Sequence, residues 1–234
     1  MSVLSTLSVF FPAYNDAKTI PTLVKRAYQV APKVAKRFEV IVINDGSTDD
    51  TARMLYRLKK RYPCLRVVTH AHNRGYGAAL RSGFRKSRYA WVFYTDGDGQ
   101  YDPMELVKLV RALKQRKEVV PIDVVNGYKI KRADPLLRIV LGNIYNWWTH
   151  QRATLPIRDI DCDFRLMRRS MLEKLHLTSS SGTICMELIT KLDKIGAHFA
   201  EVPIHHYPRR FGRSQFFQPR HLWKTLKEAL RSSP

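Results

Sequence analysis

Four short apolar runs, each followed by a helix-forming stretch, constrain this chain more than any other feature. Leu7-Ser8-Val9-Phe10-Phe11 is stopped by Pro12, and Thr19 to Val34 then carries Leu23, Ala27, Tyr28 and Ala31 at helical spacing, with Pro21 tolerable in the first turn. Glu39 to Ile43 reads as a strand buried on both faces, and Thr48-Asp49-Asp50 cap a helix carrying Ala52, Leu55, Tyr56 and Leu58. Leu65 to Thr69 with Tyr76 to Arg85 forms a third unit. Tyr89 to Thr95, with a helix opened by Pro103 and running through Leu113, forms a fourth, and Ile122 to Asn126 adds a fifth strand. This repetition predicts an α/β fold: a doubly wound, mostly parallel sheet with helices on both faces. The second half is less regular. It reads as an amphipathic helix over Leu136 to His150, a strand at Phe164 to Met167, a helix over Ile184 to Ile195, a strand at His198 to Ile204 and a last short helix at Leu222 to Leu230.

In a parallel sheet the carboxyl ends of the strands share one edge, so the loops that follow them line a single crevice. The first strand delivers Pro12-Ala13-Tyr14-Asn15-Asp16, the second Asn44-Asp45-Gly46-Ser47, and the fourth Asp96-Gly97-Asp98-Gly99-Gln100. Asp96 and Asp98 aim their carboxylates at one point if the turn bends sharply, and Gly97 and Gly99 permit the bend. Hard oxygen ligands suit Mg²⁺ or Mn²⁺. The same residues are common turn formers, so the spacing alone leaves a plain turn open. The ring of Tyr14 suits a nucleobase or simple packing, and Asp45 offers acceptors to a base edge. Asn73-Arg74-Gly75-Tyr76-Gly77 places glycines at a helix start, where N–H groups can face a phosphate. Leu80 stands where a third glycine belongs, which argues against a dinucleotide fingerprint.

The 234 residues carry a net charge of +21, an excess that implies an anionic partner: nucleic acid, acidic lipid or a phosphorylated substrate. No recognised nucleic-acid motif accompanies it, so no nucleic-acid partner is expected. Cys64, Cys162 and Cys185 are widely spaced and odd in number, which predicts reduced core thiols in a cytosolic compartment. Met1 to Phe10 lack the marks of a secretory signal, and no apolar run approaches a membrane span in length. Asp161 and Asp163 read as solvated turn charges sooner than as catalytic groups. His205 and His206 read as exposed at a strand end.

Phe11 to Asp16, Asn44 to Ser47, Asn73 to Gly77 and Asp96 to Gln100 resemble, in order and separation, the motifs of family-2 inverting glycosyltransferases with the GT-A nucleotide-sugar fold. The nearest resemblance is to the polyprenyl-phosphate group, the dolichol-phosphate mannose and glucose synthases and their bacterial relatives, and it runs from about Leu7 to Phe217. It implies a catalytic domain over 1–217 and a basic, membrane-proximal helix over 218–234. It also implies that Pro12, Tyr14, Asp16, Asp45, Asn73, Gly75 and Asp96 hold the nucleotide sugar, GDP- or UDP-linked. Asp96, Asp98 and Gln100 would hold Mg²⁺ or Mn²⁺. Asp16 stands where Glu is commoner, which shortens the side chain and keeps its charge.

The second half fits the same group. Asn126-Gly127-Tyr128-Lys129 resembles a motif that often ends in Arg, and Arg138, Gly142 and Asn146 match an Arg-Ser-Asn spacing with the hydroxyl lost. Arg209-Arg210-Phe211-Gly212-Arg213-Ser214 resembles Arg-x-x-Gly-x-Ser. By resemblance Lys129, Arg138, Asn146, Arg209 and Ser214 would bind the acceptor phosphate. Asp159-Ile160-Asp161-Cys162-Asp163-Phe164-Arg165 supplies a third catalytic candidate, Asp159, beside Asp96 and Asp98, with Asp163 replacing a usual glycine. The implied reaction is metal-dependent transfer of one sugar, mannose or glucose, to a polyprenyl or dolichyl phosphate with inversion. The alternative is a soluble family-2 enzyme acting on a glycan or small acceptor. Phe216 to Lys224 mixes aromatic and basic residues as an interfacial helix does. That suggests peripheral contact with an anionic membrane on its cytoplasmic face, with room for a separate anchoring subunit.

Overall fold

The computed structural model describes residues 4–115, 120–130 and 156–211. β1 (Leu4–Ala13), α1 (Ile20–Val34), β2 (Ala35–Asn44), α2 (Thr51–Arg61), β3 (Leu65–Thr69), α3 (Tyr76–Lys86) and β4 (Trp91–Thr95) follow the predicted alternation. A 3₁₀ turn (Pro103–Glu105) leads into α4 (Leu106–Gln115), because Asp102 accepts a hydrogen bond from the Met104 N–H at 3.0 Å and tightens the entry. β5 (Val124–Lys129), β6 (Phe164–Arg168), a single turn α5 (Arg169–Leu172), α6 (Ile184–Lys194) and β7 (Phe199–Ile204) complete the described chain. Most boundaries lie within a few residues of those expected. β2 starts earlier than its apolar run because α1 passes into it at Ala35, and the single turn α5 lacks any periodic signal. The expected helices over 136–150 and 222–230 lie outside the described residues.

The seven strands form one sheet in the order β3-β2-β1-β4-β6-β5-β7. All run parallel except β6, which is antiparallel to both β4 and β5. β1 is buried on both faces, so its side chains feed two cores by period-two alternation. Leu7, Val9 and Phe11 meet α1, α2 and α4 on one side. Phe10 meets α3 and α6 on the other, together with Ile41, Ile43, Val92 and Tyr94. Phe10 stacks on Tyr94 with ring centroids 5.3 Å apart, and Gly83 of α3 packs so closely that an added Cβ would lie 2.3 Å from the Phe10 ring.

α1 buries Leu23, Val24, Ala27, Val30, Ala31 and Val34, the stripe its spacing predicts. Pro32, lacking an N–H, sits in its last turn, and the helix ends at Val34. Cys162 and Cys185 are buried as expected, whereas Cys64 is exposed in the turn before β3, the edge strand of the sheet.

Toward the amino edge of the sheet a buried carboxylate ties three strands together. Glu39 accepts from the Ser8 hydroxyl at 2.7 Å, the Arg88 N–H at 2.9 Å and the Arg66 guanidinium at 2.6 Å. Burial alone would raise its pKa, but these donors outweigh burial and hold it below its ordinary value. Truncating Glu39 leaves the Ser8 hydroxyl and the Arg66 charge without their acceptor. Glu39→Ala is expected to destabilise the fold by about 3–5 kcal/mol in denaturant titration, far more than loss of an exposed carboxylate.

Candidate active site

The chain leaves β1 toward β2 and β3, then crosses back to lay β4 on the other flank of β1, so the strand order reverses between β1 and β4. Ligand crevices of open α/β sheets form at such a point. Here the loops after β1 and β4 are in contact. A Cβ on Gly97 would lie 2.3 Å from the Pro12 carbonyl oxygen, so only glycine lets the Asp96–Gln100 turn pass the end of β1. The Thr19 hydroxyl donates to the Gly97 carbonyl at 2.6 Å and fixes the turn from α1.

The loop after β2 is bound to its neighbours on both sides. Asn15, in the left-handed region at φ 58°, receives the Thr48 N–H at 2.8 Å and donates its own N–H to the Ser47 hydroxyl at 3.0 Å. Gly46, at φ 67°, lies where a Cβ would meet the His72 and Asn73 backbone at 2.3 and 2.4 Å. Asp45 is buried with both oxygens engaged: Oδ1 accepts from His70 Nδ1 at 2.6 Å and the Arg74 N–H at 2.9 Å, and Oδ2 accepts from the Gly75 N–H at 2.9 Å. Asp45 therefore anchors the Asn73–Gly75 loop. At the start of α3, where N–H groups are expected to face a phosphate, Gly75 N–H serves Asp45 and Asn73, and Gly77 N–H donates to the Ser180 carbonyl at 3.1 Å. Both donors are taken by protein acceptors. Pro12 is buried at the end of β1 and Tyr14 half-buried just beyond it.

Carboxylates converge where β4 ends. Tyr76 donates its hydroxyl to Asp96 Oδ1 at 2.7 Å, Asp98 Oδ1 accepts the Gln100 N–H at 2.9 Å, and Asp16 Oδ2 accepts the Tyr14 N–H at 3.0 Å. Burial, then the charges of Asp163 and Asp98, push the Asp96 carboxyl well above its usual range. Burial, reinforced by Asp98 and Asp49, raises Asp16 to about 7 against the Tyr14 N–H and Arg209, which lower it. Groups that hold protons this way also attract metal cations. Asp96, Asp98 and the Gln100 amide oxygen thus fit a Mg²⁺ or Mn²⁺ that keeps several positions for other ligands. Among the described residues no group of three or more His, Cys, Asp or Glu could hold a metal ion by itself. Arg209, from the segment after β7, ion-pairs with Asp98 Oδ2, and its Nη2 lies 3.5 Å from Gln100 Oε1. Tyr207 fastens that segment to Gln100, its N–H donating to the Gln100 carbonyl at 2.8 Å and its carbonyl accepting from Gln100 Nε2 at 3.2 Å.

The reversed strand adds a fourth carboxylate. β6 begins at Phe164, opposite Thr95 of β4, so its antiparallel course brings Asp163 to the edge where Asp96 lies. Asp163 is buried, not solvated as expected: its Oδ1 accepts from Tyr94 Oη at 3.2 Å and Cys185 Sγ at 3.0 Å. Arg165, fully buried, donates to Asn126 Oδ1 at 2.7 Å, to the Tyr94 hydroxyl and to the Ile160 carbonyl. Lys129 reaches Asp159 at 3.3 Å and the Asp161 carbonyl at 2.9 Å with only 6% of its side chain exposed. Two sequence candidates thus neutralise each other. His205 meets Glu105 at 2.6 Å in an exposed pair, while His206 is buried against Tyr101, a correction to its expected exposure. Arg138, Asn146 and Ser214 lie outside the described residues.

Sequence reading passed over His70 and the Tyr76 hydroxyl. His70 directly follows β3, at the same carboxyl edge as the other loops, and position was its signal.

The fold is of the GT-A type. Glucosyl-3-phosphoglycerate synthase of Mycobacterium tuberculosis, solved with Mn²⁺ and UDP-glucose, superposes with a TM-score of 0.72 over 98% of this chain and 79% of its own, at 19% identity. The sequence profile of glycosyl transferase family 2 matches residues 8–176, and the chain belongs to that family. The undecaprenyl-phosphate 4-deoxy-4-formamido-L-arabinose transferase of Pseudomonas paraeruginosa is 28% identical over 215 residues, covering 91% of this chain and 61% of the relative. The enzyme of the same name from Salmonella choleraesuis is 27% identical over 216 residues, covering 91% and 63%. The chain therefore spans about three-fifths of the length of these relatives.

Asp16 supplies a measurable consequence. Between about pH 4 and 7 the unfolded chain releases a proton that folded Asp16 keeps, so stability falls as pH rises through that window. In metal-free protein the slope is expected to reach at most about 1.4 kcal/mol per pH unit and to flatten in Asp16→Asn. Chemical denaturation at several pH values checks it.

Proposed function

We propose that this chain transfers one sugar from a nucleoside diphosphate sugar to a polyprenyl phosphate, with inversion at the anomeric carbon. The observation that carries the reading is the meeting of opposite charges at the switch point: Asp96 and Asp98 at the end of β4, and Arg209 brought onto Asp98 from beyond β7. Membership of glycosyl transferase family 2 and the undecaprenyl-phosphate sugar transferases among its relatives support it. The relatives transfer a modified arabinose by name, so the donor ranges beyond the mannose and glucose that the sequence resemblance suggests.

Pro12, Tyr14 and Asp16 form one wall of the nucleotide site, and Asp45 forms the other by fixing the Asn73–Gly75 loop through Arg74 and Gly75. Asp96, Asp98 and Gln100 would hold a Mg²⁺ or Mn²⁺, which would supply positive charge for the departing diphosphate. Tyr76, donating to Asp96, sets which oxygen of that carboxylate remains free. The acceptor phosphate is already anionic at neutral pH, so attack on the anomeric carbon needs no strong base, and no histidine has to serve as one. Arg209, with Arg138, Asn146 and Ser214 as partners from sequence resemblance, screens the repulsion between two anionic substrates and aligns the attack. Lys129, committed to Asp159, contributes through that pair: it holds the loop before β6 beside the end of β5.

Because the acceptor is a lipid, we place the enzyme against an anionic membrane surface on the cytoplasmic face. Among the described residues no helix is long and apolar enough to cross a membrane. A family-2 enzyme with a small soluble acceptor is the second reading, favoured by the burial of Lys129 away from solvent.

Both readings meet one assay: transfer of radiolabelled sugar from a panel of GDP- and UDP-linked hexoses and pentoses to a short polyprenyl phosphate, with Mn²⁺ or Mg²⁺ and with chelator. Lipid-extractable product that chelator abolishes is expected, and Asp98→Ala is expected to lower it by at least about a hundredfold. Donor binding without lipid product would favour the soluble acceptor, and full activity of Asp98→Ala would sink the mechanism.

A further inference from the structure

Resting on that reading, we propose that Arg209 is the resident counter-cation of the Asp98 carboxylate, and that a divalent metal displaces it, so that metal loading frees this guanidinium for the acceptor phosphate. Three observations support it. Arg209 is the cation paired with Asp98 Oδ2, and the same guanidinium lies 3.5 Å from the amide oxygen of Gln100, so it occupies two of the oxygens offered to the metal. The segment carrying it is fastened independently by the two bonds between Tyr207 and Gln100, so the side chain can leave Asp98 without releasing the backbone. The guanidinium is also incompletely satisfied where it lies: Arg209 Nε is buried without a hydrogen-bond partner among the described residues.

A buried N–H on a charged group left without an acceptor marks a weakly held position. The stem is only partly covered, with 24% of the side chain exposed, which leaves a path outward. A divalent metal and a guanidinium brought to the same carboxylate repel each other as cations and compete for its lone pairs. Their binding is therefore negatively coupled, and the coupling is reciprocal. The metal that assists leaving-group departure and the cation that receives the acceptor are thereby linked in order: metal enters, Arg209 leaves Asp98, acceptor phosphate meets Arg209.

The test is Mn²⁺ affinity without donor or acceptor, read from the electron paramagnetic resonance signal of free Mn²⁺. The variants are Arg209→Gln and Arg210→Gln, the second removing an equal charge from an exposed neighbour. Arg209→Gln is expected to tighten Mn²⁺ binding by at least about fivefold, with Arg210→Gln within about twofold of the parent chain. Unchanged or weaker binding in Arg209→Gln overturns the proposal, as does equal tightening in Arg210→Gln, which would reduce the effect to net charge. Thermal unfolding confirms that each variant folds, and Arg209→Met, which also removes the charge, is read the same way if Arg209→Gln does not. Equal Mn²⁺ binding by parent and variants removes this inference and leaves the proposed function standing. No Mn²⁺ binding by any of them, even with UDP present, removes the metal from both.

Discussion

Carboxylates gathered at the mouth of an apolar sheet repel one another, and positive charge brought close is what holds them together. Asp16, Asp96, Asp98 and Asp163 reach the same edge from three different segments, after β1, after β4 and before β6, and none of them can withdraw without dragging a strand end with it. The turn at Gly97 is wedged against the Pro12 carbonyl, and β6 is locked to β4 residue by residue. The backbone therefore fixes the anions, and the side chains and ligands must answer them. Among the described residues Arg209 on Asp98, the Tyr76 hydroxyl on Asp96 and Arg165 beside Asp163 are such answers.

The two edges of the sheet handle buried charge differently. At the amino edge Glu39 has as many donors as it can use, including two arginines, and its charge contributes to the integrity of β1, β2 and β3. At the carboxyl edge, among the described residues, Arg209 and Arg165 stand against the carboxylates of Asp98 and Asp163. Stability and chemistry are thus separated by the length of the strands.

Much of this was legible in the amino-acid order. β-branched runs buried on both faces, helices with one apolar stripe, and Asp, Asn and Gly at strand ends are local signals, and they located all seven strands and the sheet edge where their loops meet. The direction of β6 was not legible, because Phe164 to Arg168 carries no mark of whether it runs with or against its neighbours. That one ambiguity hid Asp163, which a parallel strand would have sent to the opposite edge. Asp45 and Lys129 looked available for ligands because sequence shows a charge but not its partner. Their partners, His70, the Arg74 and Gly75 N–H groups and Asp159, come from distant segments or from the backbone itself.

The place of β6 in the sheet also sets an order of events during synthesis. β1 to β4 are joined by short local crossovers and can assemble as soon as they leave the ribosome, but β4 keeps an unpaired edge until Phe164 to Arg168 has been made. That edge is Trp91-Val92-Phe93-Tyr94-Thr95, a strand with no charge and no proline to discourage another chain from pairing with it. A nascent chain halted between β4 and β6 therefore exposes its most adhesive segment. The reversed strand that completes the crevice is also the one that closes this edge.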